Sequence, residues 1–323
     1  RLTGSFDYYQ RYTYDMVGPA PTLPGILGAS APKINNADMK SYGWEMELSW
    51  RDRIEDFNYG VRFTLADGQR KVLKYPNESG DIYSWYNNKL DGTIWGYTTV
   101  GIAQTQEEMD AHLANNKPNW GSNWGAGDIM YADLNGDGEV TSGSKTLNDH
   151  GDLKVIGNSY ARYNFGFTVD GSWRGLDFSI FLQGTMKRDY WLDGPYFWGA
   201  SGDEWQSACF TEHLDYWTPE HTNAYYPKPY FGNIKKNQEV QSGYLQNAAY
   251  LRVKNVQVGY TLPKSWTKKA AMESVRFYVS GDNLLTWTGI SSIFDPETLG
   301  GDWGPGKLYP LQRTLSVGVN VNF

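Results

Sequence analysis

Thr314-Leu315-Ser316-Val317-Gly318-Val319-Asn320-Val321-Asn322-Phe323 closes the chain with every second residue apolar and every other one polar or glycine. A period of two gathers the apolar side chains on one face of a strand. The strand is expected to run from Leu311 to Phe323, so that its last residue is an aromatic carboxy-terminus. Such a strand suits the wall of a membrane β-barrel, and it also suits one sheet of a soluble sandwich.

The pattern recurs upstream. Tyr42, Trp44, Met46, Leu48 and Trp50 alternate with glycine or polar residues, and after a polar turn within Asp52 to Asp56 the run Phe57, Tyr59, Val61, Phe63 and Leu65 alternates again. A second hairpin reads Tyr163, Phe165, Phe167, Val169 and Trp173, turns at Arg174-Gly175, and continues through Leu176, Phe178, Ile180 and Leu182. Leu251 and Val253 share one phase while Val256, Val258, Tyr260 and Leu262 share the other, which predicts a bulge near Lys254-Asn255. Val275, Phe277 and Val279 start the next strand, and Leu2 to Tyr8 already alternates at the beginning. No charged-then-apolar leader precedes it, so the chain is expected to be a mature fragment.

The connections fall into two classes. Those after Trp50, Trp173 and Leu262 are short, about 5 to 12 residues, and the intervening ones run from about 25 to more than 80, the asymmetry of bacterial outer-membrane barrels. With the carboxy-terminus on the periplasmic side, about eight strands walked backward put every short turn in the periplasm and every long loop outside. A sandwich, whose turns come every 8 to 12 residues or so, fits such loops poorly.

Composition does not oppose a barrel. The mean hydropathy of −0.59 resembles that of a soluble protein, but only alternate residues of a barrel strand face lipid. No apolar run is long enough for a transmembrane helix. Aromatic residues make up 16%, including 14 Trp and 24 Tyr, which suits interfacial girdles or stacking surfaces for sugars and peptides. A net charge of −7 argues against nucleic acid, and the single cysteine, Cys209, excludes an intrachain disulfide framework.

Asp133-Leu134-Asn135-Gly136-Asp137-Gly138-Glu139 matches the opening of an EF-hand loop, with oxygen ligands at the first, third and fifth positions and glycine at the sixth. The side chains of Asp133, Asn135 and Asp137 and the carbonyl of Glu139 would surround a Ca²⁺ ion as a structural staple. Ser144 stands where a bidentate Glu belongs, so a further carboxylate is expected from Asp149 or Asp152. A metal-free turn rich in Gly, Asp and Asn is the alternative.

Several stretches resemble the C-terminal part of SusC-type (SusC/RagA) TonB-dependent outer-membrane transporters of Bacteroidetes. They are Gly4-Ser5-Phe6-Asp7-Tyr8-Tyr9, Gly127-Asp128-Ile129-Met130-Tyr131-Ala132-Asp133-Leu134-Asn135-Gly136-Asp137-Gly138, Val155-Ile156-Gly157-Asn158, Tyr250 through Pro263, Gly281-Asp282-Asn283-Leu284 and the terminal Phe323. The resemblance implies an all-β antiparallel transmembrane barrel of about 22 strands around an N-terminal plug, of which residues 1–323 supply roughly the last eight, with long extracellular loops. It further implies import energised by TonB through the part not present here, beneath a SusD-like surface lipoprotein. The ligands implied are oligosaccharides, with peptides the alternative.

Within the long loops, Trp85, Tyr86, Trp95, Trp191, Tyr196, Trp198 and Trp205, with Asp189 and Asp193, are candidates for ligand contact, since rigid rings stack on sugar C–H faces and carboxylates orient them. Aromatics also pack loops together or meet a partner protein. No enzymatic set is expected: Asp203-Glu204-Trp205 does not establish paired carboxylates at hydrolytic spacing, and His112, His150, His213 and His221 lack compact ligand spacing. A passive porin or surface-binding barrel, and a soluble carbohydrate-binding or hydrolytic β-domain, are the rival readings.

Overall fold

The computed structural model describes residues 1–323 except 21–25, 27, 29–30, 200–208, 231–235 and 301–303. Eight long strands run through the chain: β1 (Leu2–Gly18), β2 (Ile34–Ile54), β3 (Phe57–Lys74), β4 (Arg162–Trp173), β5 (Leu176–Lys187), β6 (Gln246–Thr261), β7 (Ser274–Gly289) and β8 (Thr314–Asn322). They pair antiparallel, each with its neighbour in the chain, and a short strand, Asp189–Tyr190, adds to β6.

Register turns the sequence period into two chemically distinct faces. Leu2, Trp50, Val61, Val169, Ile180, Val256, Gly281 and Leu315 form one row across all eight strands. One residue along lies the row Thr3, Ser49, Arg62, Thr168, Phe181, Asn255, Asp282 and Thr314, polar except for Phe181. The apolar face stays uncovered by protein: Leu48, Val258, Val279 and Val317 are 41%, 46%, 55% and 82% exposed. So large an exposed apolar surface calls for lipid as its solvent. From Ile54 to Trp44 the apolar column of β2 climbs about 25 Å for strands tilted by about 40°, the height of the hydrocarbon band.

The polar face is stitched by charge. Arg62 Nη2 donates to Glu47 Oε2 at 2.7 Å, and Asn255 Nδ2 donates to Asp282 Oδ1 at 2.8 Å. Arg276 Nε reaches Asp177 Oδ2 at 2.9 Å.

Two of the three short connections are two residues long, Glu55-Asp56 and Arg174-Gly175. Arg174 and Gly175 both take positive φ, 46° and 93°, the backbone twist a tight hairpin needs. A Cβ at Gly175 would also lie 2.7 Å from the Thr261 carbonyl. The third, between β6 and β7, holds the short helix Lys264–Thr267. All three lie at one rim, as expected, and the bulge falls between Val253 and Asn255.

Three strand boundaries differ from the sequence expectation. The last strand begins at Thr314, not Leu311: its pairing with β7 ends at Asp282 and Thr314, and the side-chain amide of the next residue, Asn283 at φ 52°, donates to the Gln312 carbonyl at 2.9 Å. β1 and β2 extend to Gly18 and from Ile34, shortening the connection between them; above the lipid band both faces meet water, so pairing continues where polarity no longer alternates.

The buried core lies in the loops and not in the wall. Ile82, Tyr97, Ile129, Tyr131, Val140 and Leu153 from the 75–161 connection pack with Leu192, Phe197, Trp198, Tyr226 and Tyr244 from 188–245, and with Ile290, Phe294 and Leu299 from 290–313. The long loops therefore form one folded layer on the rim opposite the short turns. Small strand pairs give it a backbone frame, Thr93–Gly96 with Lys154–Asn158 and Thr99–Ile102 with Ile129–Tyr131. The helix Gln106–Leu113 starts at Thr105, whose hydroxyl accepts the Glu108 amide, and it buries Met109 against Ala103 and Met130.

Candidate functional site

An aromatic groove opens in this layer. Thr218 and His221 close a turn, Trp217 N–H donates to the Tyr226 carbonyl and Tyr226 N–H to the Asp215 carbonyl, both at 2.9 Å, which folds 215–226 back on itself. A cavity of about 300 Å³ is lined by Trp198, His213, Tyr216, Tyr226, Lys228 and Tyr230, among others. A second, about 610 Å³, lies alongside between Gln106, Trp124, Trp217 and Lys228, and the two share Tyr216, Lys228, Pro229 and Tyr230.

Gly127 is what lets the walls meet. At φ 89° it brings its backbone against the Trp217 ring, where a Cβ would lie 2.5 Å from a ring carbon, and its carbonyl accepts the Lys228 amide at 2.8 Å. Beneath the groove a buried polar network crosses from one connection to the other. Asp128 accepts from Gly125 N–H (2.8 Å), Asn237 Nδ2 (2.9 Å) and the Tyr230 hydroxyl (3.3 Å), and pairs with Lys236. Lys236 Nζ also stands 4.4 Å from the Tyr230 ring centre. Burial, reinforced by the Asp128 charge, pushes the Tyr230 phenol well above its ordinary value, so it enters any contact as a neutral hydroxyl. His213 Nδ1 accepts the Phe210 amide at 2.9 Å, which leaves Nε2 to donate to the Tyr196 carbonyl at 3.1 Å.

Three tryptophans among the described residues, Trp95, Trp120 and Trp217, carry a buried indole N–H without a partner, and of these Trp217 borders the groove. It is 5% exposed, lines the larger cavity, and its indole N–H has no acceptor among the described residues. A buried donor of this kind calls for an acceptor oxygen.

The candidates read from sequence are dispersed. Trp198 lines the smaller cavity but is largely enclosed, tilted against Tyr244 at 4.9 Å. Tyr196 stacks on Phe210 at 5.9 Å, and Trp191 leans on Trp198 at 6.0 Å. Trp95 packs against the loop core beside His150. Trp85 meets Tyr75 edge-on, and Tyr86 lies under Lys89, whose ammonium is spent on the carbonyls of Ile82, Tyr83 and Ser84. Asp189 accepts the Asn158 amide at 2.9 Å, and Asp193 is exposed. Trp205 lies outside the described residues. Tyr216, Trp217, Lys228 and Tyr230 were missed, although the run Tyr225-Tyr226-Pro227-Lys228-Pro229-Tyr230 carries a compositional signal.

In the acidic loop, Asp133 accepts backbone N–H groups from Asn135 (3.0 Å), Gly136 (2.6 Å) and Gly138 (2.8 Å). These donors, that of Gly138 foremost, hold its carboxyl below the usual carboxylate range. Asp137 accepts the Glu139 amide and the side-chain amide of Asn135, both at 2.9 Å. Asp152, fully buried, ties the loop to its base through Leu134 N–H and Thr141 N–H, each at 2.7 Å. Asp149 is bound instead to Ser144, through its amide at 2.8 Å and its hydroxyl. Among the described residues no three His, Cys, Asp or Glu side chains are grouped to hold a metal ion.

A lipid-facing antiparallel wall, short turns at one rim and a folded loop layer at the other define a segment of an outer-membrane β-barrel. Its resemblance to SusC-type TonB-dependent transporters holds over the whole chain. It is 28% identical over 353 residues to the TonB-dependent receptor P3 of Formosa agariphila, covering 100% of this chain and 32% of that receptor. It is 23% identical over 338 residues to the TonB-dependent receptor SusC of Bacteroides thetaiotaomicron, covering 100% and 30%. Among solved structures it matches the RagAB peptide transporter with a TM-score of 0.71 at 22% identity, covering 100% of this chain and 34% of that one. No family model matches. The chain spans about a third of the length of the curated relatives it matches.

Proposed function

We propose that this chain is the C-terminal, loop-bearing wall of a TonB-dependent importer that takes up oligosaccharides together with a SusD-like lipoprotein. The groove residue Trp217 carries the reading: a buried indole donor without an acceptor, beside the exposed Tyr216 and the half-buried Trp124 and Tyr230, suits a ligand that offers both apolar faces and oxygen acceptors. A sugar chain does so through ring C–H faces and hydroxyls. The plug and the contact with TonB would come from the rest of the transporter, and no catalytic role is assigned to the chain.

A peptide, with backbone carbonyls as acceptors, is the second reading, favoured by the fold match to a structure described as a peptide transporter. Uptake of labelled glycan and peptide libraries by cells carrying the complete transporter, with and without TonB, separates the readings. Glycan uptake that depends on TonB is expected. Uptake unchanged by loss of TonB would refute active import, and TonB-dependent entry of peptides alone would replace the ligand class.

The 1, 3, 5 spacing of Asp133, Asn135 and Asp137 supports a further proposal, one structural Ca²⁺ at that loop. Calorimetric titration with Ca²⁺ tests it; no heat of binding, and no shift in thermal unfolding with EGTA, would remove it.

A further inference from the structure

The outward face of the wall does not end with its apolar rows. Further up the same face, Lys40 of β2 is the register partner of Tyr12 on β1 and of Lys71 on β3, so one row brings two lysines side by side. Cross-strand partners share a face, and no register shift interrupts β2 between Lys40 and the lipid-facing Trp50. Lys40 Nζ stands 5.2 Å from the Tyr12 ring centre and 5.3 Å from that of Tyr42. The neighbouring carboxylates are engaged elsewhere: Asp67 with Arg162, and Asp38 with the Asp15 amide at 2.9 Å. Among the described residues none lies within ion-pair distance of Lys40 or Lys71.

Like charges directly opposite one another on a sheet repel, and an anion shared between them reverses the sign. Height says where that anion sits. Lys40 lies about four residues beyond Trp44, roughly 10 Å higher along the membrane normal for a tilted strand, just outside the hydrocarbon and within reach of lipid headgroups. The rim is the one opposite the short turns, so the leaflet is the outer one.

We propose that Lys40 and Lys71, framed by Tyr12 and Tyr42, bind the phosphate of a phosphorylated glycolipid headgroup in the outer leaflet. The rings cover the sugar and hold the lysine stems, and the two ammonium groups take the charge. Continuity with the lipid-facing apolar column below assigns the occupant to the membrane and not to free phosphate.

The complete transporter, placed in nanodiscs containing a phosphorylated diglucosamine lipid or its dephosphorylated form, is then read by native mass spectrometry for retained lipid. Wild type is expected to retain the phosphorylated form about tenfold better, as two lysines at a membrane surface allow. The double variant Lys40→Gln/Lys71→Gln should lose that preference, and Lys40→Arg/Lys71→Arg should keep it. Heat-modifiable gel mobility reports barrel folding, and if the double Gln variant does not fold, Lys71→Gln alone, with a several-fold loss, carries the test. No preference in wild type, or the same preference in the folded Gln variant, overturns the proposal. Displacement of the glycolipid by inorganic phosphate at equal concentration assigns the site to free phosphate and overturns its lipid occupant.

Discussion

Lys236 Nζ lies 2.6 Å from Asp128 Oδ2, with the two side chains 1% and 0% exposed, and the pair joins the connection 75–161 to the connection 188–245. Breaking such a pair from one side leaves a buried charge alone, at a cost of about 3 to 5 kcal/mol. Lys236→Met should therefore loosen the loop layer by about that amount while leaving the wall intact. Asp128→Asn combined with Lys236→Met should recover much of the loss, because no charge is left unpaired. Thermal unfolding followed by tryptophan fluorescence, together with limited proteolysis of the loops, measures both. A single variant as resistant as wild type would show that the two connections are held by their apolar core alone.

The Asp133 loop should respond to acid. Its carboxyl is held below the ordinary carboxylate range, chiefly by the Gly138 amide, so it adds stability that is complete above that range and is lost as pH falls through the lower folded value. Hydrogen exchange at Gly136 and Gly138 should stay slow at mildly acidic pH and rise only below the ordinary carboxylate range. In Asp133→Asn the protection should be weaker at neutral pH and the acid step should vanish. The same step in wild type and variant would place the acid response elsewhere.

The wall was legible in the sequence because lipid enforces it. Each residue between Trp44 and Trp50 has one of two solvents, so the period of two survives unbroken, and the phase change at Val253 and Val256 exposes the bulge directly. Above the lipid band the constraint lapses, which is why pairing in β1 and β2 runs on beyond the alternating residues. The loop layer obeys no period. Trp95, Trp191 and Trp198 read as ligand-stacking candidates, yet each packs against the loop core or within it, and nothing local distinguishes a packing tryptophan from a presenting one. The groove joins Gln106 and Trp124 to Tyr216 and Tyr230, a meeting set by Gly127 and the buried Asp128 network. Such long-range pairings leave no trace in residue spacing.

The two faces of the wall should tolerate charge very differently. Val169 pairs with Val61 and Ile180 on the apolar face, near the middle of the band, whereas Ser179 pairs with Asp170 and Gln257 on the polar one. Val169→Arg in the complete transporter should cost about 2 to 4 kcal/mol of folding stability in bilayers. Ser179→Arg, beside the Asp170 carboxylate, should cost far less. Equilibrium refolding into lipid vesicles compares them. Equal penalties would mean that the polar face is also shut away from water and that the assignment of lipid to one face is incomplete.

Within the groove, contact with ligand and support of the fold separate cleanly. Tyr216 is 37% exposed and lines both cavities, so Tyr216→Ala should weaken ligand binding by about 0.5 to 1.5 kcal/mol, a few-fold to about tenfold, with little effect on stability. Trp217→Phe deletes the indole donor and trims the fused ring that packs on Gly127. It should lower affinity by about 0.5 to 1.5 kcal/mol for an oxygen-bearing ligand. The lost ring volume destabilises and the loss of an unpaired donor offsets part of that, so the cost should stay below that of a full truncation, about 3 to 5 kcal/mol. Trp95→Ala, by contrast, removes a ring packed against the core and should cost about 3 to 5 kcal/mol of stability. Isothermal titration of the complete complex with its imported ligand, paired with thermal unfolding of each variant, resolves the three effects. Trp217→Phe binding as tightly as wild type would place the ligand elsewhere in the loop layer.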